Sequence, residues 1–443
     1  MNRHALCAMV LILSTVDGCD RPPRASNSAP QVAGRAEVPV SGAPGEACPD
    51  RVIGECGYLT QEGIFSIDDT IQVRAFDVSE KLVCSSFYHK GALVPLPFSR
   101  STEPRLAYQW LPALAAWTSE GRKLWQADYP VAYRLAIAGD EIALAYDDGS
   151  ANAERGIIWI DSATGARLGS VRLGGSPYEM RYYREQELLV LTVELQGNAG
   201  MEVVAYNARR EMTWRWRYDR GTLRPLRMDD EALVVAASAK EPAVVRLDTR
   251  TGRELWRAPW RFNDPIAQES ATNVPASHES LVMSRAKGGV RFHDLASGKV
   301  VTELADPLER PWSWSAWALP AHGDRLYLSV LNDLNGITLA AYQFPSGRML
   351  WADETGTGTN HCPVAWGEDT VFLTWRESPG PLLSELRIYG RAGTLHACWR
   401  TWYERPEVFF INNNLPPRVV GARLYIAGYN CVLALGRTAP STR

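Results

Sequence analysis

Along most of this chain, short apolar runs alternate with compact polar turns, and the runs are the length of strands rather than helices. Runs at 142–146, 188–193, 233–237, 281–284, 326–330 and 371–375 are rich in Val, Ile, Leu and aromatic residues, which suits half-buried or buried strands. Several follow a Pro-led segment and a charged turn, as in Pro130 with Gly139-Asp140-Glu141 and Pro363 with Gly367-Glu368-Asp369. Each is succeeded by a recurring phrase: an apolar strand, a small polar turn, and a short segment that often ends in Trp. The clearest copy reads Leu247-Asp248-Thr249-Arg250-Thr251-Gly252-Arg253-Glu254-Leu255-Trp256. Others surround Gly121, Gly165, Gly298, Gly347 and Gly393, with Arg209 at the equivalent place in one copy.

These turn positions lie 44, 44, 43, 46, 49 and 46 residues apart. A strand-built period of this size predicts a propeller, with four short antiparallel strands per blade. Second and third strands can be counted in eight units, from 106–110 with 113–117 to 424–427 with 431–435. The eighth unit runs out before its fourth strand. The fold expected is therefore all-β, an eight-bladed β-propeller whose ring is closed by an N-terminal strand, and residues 78–84 have the form required. That closure would set Cys84 beside Cys431, near enough for a disulfide across the seam.

Composition adds few constraints. A repeat array turns 443 residues with 46% apolar content into one large domain. A net charge of −3, without a Lys/Arg stripe, makes nucleic acid an unlikely partner. The N-terminus reads as an export signal over residues 1–18: Arg3 and His4, an apolar run too short to span a bilayer, and a small residue before Cys19. Cys19 is the candidate lipidation site, although Asp17 is unusual in such a signal and an ordinary cleaved leader is the alternative. Residues 19–47, rich in Pro, Ala, Ser and Gly, read as a tether. The organisation expected is then an N-terminal extension at 48–80, the propeller at 81–436 and a tail at 437–443. Beyond the tether, Cys48, Cys56, Cys84, Cys362, Cys398 and Cys431 are disulfide candidates. Cys48 with Cys56 would make a small loop, and Cys362 with Cys398 would pair by default. No C-x-x-C or H-E-x-x-H spacing points to a metal.

The Gly-turn and Trp phrases resemble the pyrroloquinoline-quinone (PQQ)-type repeats of eight-bladed propellers. That resemblance implies that the Gly turns the chain and that Trp125, Trp256, Trp351 and Trp399 pack between neighbouring blades. The repeat builds quinoprotein dehydrogenases, but those enzymes use a pair of adjacent cysteines, and none are adjacent here. Asp147-Asp148 and Asp229-Asp230 read as turn carboxylates rather than ligands. No G-x-S-x-G or G-x-G-x-x-G offers other chemistry. No catalytic residue, cofactor or metal is expected. The alternation of Trp312 and Trp314 puts both on one face of an extended segment, which could serve as a binding surface, although packing between blades is the more ordinary explanation of large aromatics.

The resemblance extends to the propeller lipoproteins of outer-membrane barrel assembly. The function it implies is a non-catalytic, monomeric scaffold on the bacterial envelope. Its N-terminal lipid would hold the membrane, and its propeller loops would hold another membrane or envelope protein. A surface or secreted propeller binding a small ligand or glycan in its central funnel is the alternative, and a quinone-dependent oxidoreductase a more distant one.

Overall fold

The computed structural model describes residues 59–66, 70–95, 106–130, 132–147, 154–196, 200–219, 222–228, 232–238, 243–259, 281–286, 289–294, 296–305, 315–318, 325–331, 336–343, 346, 348–357, 364–376, 383–402, 415, 417–428 and 430–437. The described residues form antiparallel strands in eight sheets, and no α-helix occurs among them. Sheet 1 comprises Thr70–Val78, Leu82–Pro95, Leu106–Thr118 and Lys123–Asp128. Sheet 2 comprises Ala132–Ala138, Glu141–Asp147, Arg155–Asp161 and Arg167–Arg172, and sheet 3 Gly175–Tyr183, Leu188–Leu195, Met201–Tyr206 and Met212–Tyr218. Sheet 4 holds Thr222–Met228, Ala232–Ser238, Ala243–Asp248 and Glu254–Pro259, and sheet 5 holds Leu281–Ala286, Gly289–Asp294 and Val300–Ala305. Sheet 6 contains Ser315–Ala318, Arg325–Leu331, Gly336–Gln343 and Arg348–Thr357. Sheet 7 contains Val364–Trp366, Asp369–Arg376, Leu383–Tyr389 and Leu395–Trp402. Sheet 8 joins Arg418–Val420, Arg423–Ala427 and Cys431–Arg437 to Leu59–Ser66, from the other end of the chain.

The unbroken apolar runs of the middle strands follow from burial on both faces. In Glu141–Asp147, Ile142 and Leu144 pack towards sheet 1, against Leu82 and Leu114. Ala143 and Ala145 pack towards sheet 3, against Met180 and Leu191. Period-two alternation thus divides one strand between two cores, where both parities must be apolar. Outer strands such as Arg167–Arg172 instead alternate exposed and half-buried positions. Further cores join sheets 3 and 4, sheets 7 and 8, and sheets 8 and 1. Tyr389 of sheet 7 enters the core of sheet 6.

The seam differs from the sequence reading. The slot beside Cys431–Arg437 is taken by Leu59–Ser66, with Leu59 opposite Arg437 and Ser66 opposite Cys431, and not by residues 78–84. Ser79 and Glu80 instead turn the first hairpin of sheet 1, where the Ser79 amide donates to the Leu82 carbonyl at 2.8 Å. Sheets therefore begin upstream of residue 81, within the segment read as an extension. Cys84 faces Asp77 and Ala116 in sheet 1, and Cys431 faces Ser66 in sheet 8. The expected disulfide between them is absent: both are buried free thiols. The first unit also departs from expectation, since 106–110 and 113–117 belong to one strand, Leu106–Thr118.

Candidate functional site

The repeated phrase builds the joints between sheets. Asp161 Oδ1 accepts the Ala163 and Thr164 amides at 3.1 and 2.7 Å and the Thr164 hydroxyl at 2.7 Å. Asp248 and Asp294 hold their turns in the same manner. Hydrogen bonds to the charged form hold all three carboxyls below their ordinary range. Each turn ends in a left-handed glycine: Gly165 at φ +75°, Gly252 at +67° and Gly298 at +71°. Onto these glycines fold Trp125, Trp214 and Trp256 of the preceding sheets, and Trp351 folds likewise onto Gly393; a Cβ at any of the four would stand 2.6 Å from the indole. The indole N–H groups of Trp125 and Trp214 donate to the Ser162 and Thr249 carbonyls at 2.8 and 2.7 Å.

Three positions depart from that scheme. The left-handed residue of sheet 3 is Arg210 (φ +67°), one place beyond the Arg209 expected. Trp399 is buried between sheets 7 and 8, against Leu424 and Leu433, but Ala397 occupies its repeat position. Gly121 (φ +90°) has open space beside it. Gly347, Trp312, Trp314, Cys19, Cys48, Cys56 and Cys362 lie outside the described residues. Cys398 is disulfide-bonded. Asp147 is an ion-pair partner of Arg155 at 2.7 Å and accepts the Ser176 hydroxyl at 2.7 Å, joining sheets 2 and 3. Among the described residues, no group of three or more His, Cys, Asp or Glu is placed to hold a metal ion.

One element has no counterpart in the other sheets. The second and third strands of sheet 1 run 14 and 13 residues, against five to eight for the corresponding strands elsewhere in the described fold. Thr70–Val78 reaches only as far as His89, and Lys123–Asp128 only as far as Ala113. Beyond these limits, residues 90–95 pair with 106–110 alone, as a two-stranded ribbon. A bulge between Lys90 and Leu93 sets its course. Gly91 sits there because a Cβ would come within 2.9 Å of the Gln109 carbonyl and of Leu111. At the ribbon's root, the Arg74 guanidinium lies over the Tyr88 ring at 5.7 Å, and His89 Nε2 is buried without a hydrogen-bond partner. The ribbon's sequence, Gly91-Ala92-Leu93-Val94-Pro95 with Leu106-Ala107-Tyr108-Gln109-Trp110, is largely apolar. A two-stranded hairpin is marginal in water on its own, so an apolar one projecting from a sheet is suited to docking.

A family model described as outer membrane protein assembly factor BamB matches residues 115–313. No curated protein sequence matches the chain. Among solved structures, BamB from Moraxella catarrhalis is 16% identical with a TM-score of 0.55, over 87% of this chain and 99% of that one. The quinohemoprotein alcohol dehydrogenase from Comamonas testosteroni is 12% identical with a TM-score of 0.55, over 89% and 80%. The WD40 domain of SCAP from fission yeast is 9% identical with a TM-score of 0.52, over 90% and 98%. At these identities the likeness shows the fold, a PQQ-type propeller resembling BamB.

Proposed function

We propose that this chain is a lipid-anchored scaffold of the bacterial envelope, an eight-bladed ring closed by Leu59–Ser66 that binds another envelope protein through the sheet 1 ribbon. The ribbon carries the reading: it is an apolar two-stranded projection on an otherwise regular array. The likeness to BamB, an outer membrane protein assembly factor, supports a scaffold role. The lack of an adjacent cysteine pair argues against quinone chemistry of the dehydrogenase type. Cys19 supplies the anchor, residues 20–47 the reach, and Trp312 and Trp314 a second aromatic contact.

A photo-crosslinking residue at the exposed Gln109 tests the ribbon in intact cells. It should capture one envelope protein. A variant joining Lys90 to Leu111 through an Asn-Gly turn should lose that protein while keeping its Tm within a few degrees. Cys19→Ser should move the otherwise intact chain from the membrane to the soluble fraction. Equal recovery of the partner by the ribbon-less variant would refute the assignment.

A further inference from the structure

The first strands of sheets 8, 1, 2 and 3 bring an arginine-rich group of charges together. Asp77 lies near the end of Thr70–Val78, and its Oδ2 accepts the Ile137 amide of sheet 2 at 2.8 Å. Arg418 begins Arg418–Val420, whose strand touches Thr70–Val78. Arg418 is within electrostatic reach of Asp77, of Arg134 on Ala132–Ala138 and of Arg181 on Gly175–Tyr183; Arg184 is within reach of Asp77. Sheets 1 and 2 stand between sheets 8 and 3, so Arg418 and Arg181 are within electrostatic reach across two intervening sheets.

Arg418 and Arg184 thus act on Asp77, while Arg181 and Arg134 act on Arg418. Burial pushes the Asp77 carboxyl up, opposed by the nearby arginines, chiefly Arg418. Arg418 is depressed first by burial and then by the like charges of Arg181 and Arg134, with Asp77 offsetting part of this. Its Nε is buried and has no hydrogen-bond partner. Arg181 gives one contact to Tyr183, whose strand also carries the buried Glu179. Arg134 is exposed and Arg181 half-buried, which leaves the group open to a solute. Planar guanidinium forks match the oxygens of carboxylate and phosphate, and an anion among them would relieve the like-charge repulsion.

We infer that this group forms an oxyanion site in which Arg134, Arg181 and Arg418 bind a small multivalent phosphate or carboxylate. The site is independent of the ribbon and of the partner bound there. Calorimetric titration of the full-length chain in detergent with pyrophosphate and with citrate, against sodium chloride at matched ionic strength, tests it. One saturable site is expected for at least one oxyanion, and the preferred one names the chemistry. Arg181→Gln should weaken binding at least tenfold without unfolding the protein. Asp77→Asn keeps an acceptor for the Ile137 amide but removes the competing charge, and should tighten binding severalfold; a purely structural arginine cluster would not respond in this way. Arg172→Gln, on the outer strand of sheet 2, should bind as the parent does. Heat indistinguishable from the chloride control, or unchanged affinity in Arg181→Gln, would overturn the site.

Discussion

At the residue scale, two glycines with similar backbones have different surroundings, which separates conformation from packing. Gly121 and Gly165 both have positive φ, but only Gly165 lies under an indole. Gly121→Ala should cost about 1 kcal/mol for the left-handed backbone. Gly165→Ala should cost about 2–4 kcal/mol, because Trp125 must also move. Equal urea midpoints for the two variants would remove the indole from the explanation. The joint between sheets 2 and 3 shows the same dependence reversed. Gly169 stands where Trp would be, the following turn has Arg210 in place of Gly, and the Arg210 side chain crosses the gap to Glu141 at 2.6 Å. At most of the adjoining bulges the opposite residues compensate in size: Ala116 with Trp125, Ala205 with Trp214 and Ala341 with Trp351, but Trp159 with Gly169 and Ile388 with Ala397; Arg246 with Trp256 is an exception. The free thiols belong to this scale too. Burial pushes the Cys431 thiol up to about 12 and that of Cys84 well above its ordinary value. Alkylation at pH 8 should therefore spare both until the chain unfolds, as peptide mapping would show.

At the scale of elements, sequence and structure part where pairing is long-range. The repeated turns were legible because Asp, Thr or Ser, and Gly specify them locally. The missing fourth strand of the eighth unit was also legible, and an N-terminal segment does pair there. Which strand closes was not, because both candidate segments have short apolar runs and only the pairing of Leu59 with Arg437 decides. The ribbon was obscured by Pro112, which reads as a break between two strands. In the fold Pro112 lies where the sheet narrows from four strands to two, a place where a ladder can lose a donor. The closing strand contributes the fully buried Phe65, whose ring lies 6.1 Å from those of Trp117 and Tyr425. A chain beginning at residue 67 should lose more than about 4 kcal/mol relative to one beginning at 59, judged by the energetic worth of a buried Phe alone. Matching thermal unfolding of the two would contradict this.

At the scale of the whole molecule, the period and the two-faced burial of the middle strands determine the architecture, and relatives at 16% and 12% identity share it while differing in activity. What departs from the repeat, the ribbon and the arginine group, is therefore where the proposed functions are placed. The arginine group was invisible in the sequence because Asp77, Arg134, Arg181 and Arg418 are scattered over four repeats, and each is an ordinary residue in its own. Only assembly of the first strands of these sheets makes them neighbours.

The pairing of Leu59 with Arg437 also sets an order of events in the cell. Synthesis from the N-terminus delivers residues 59–66 early, yet their partner, Cys431–Arg437, is made only after the strands of the seven other sheets. Leu59–Ser66 must wait without its partner while the seven other sheets are made. Every prematurely terminated product is left with an unclosed edge, prone to pair with another chain. The pairing of Leu59–Ser66 with Cys431–Arg437 thus completes its sheet only after the strands of the seven other sheets have been made, which makes it a checkpoint on all that lies between.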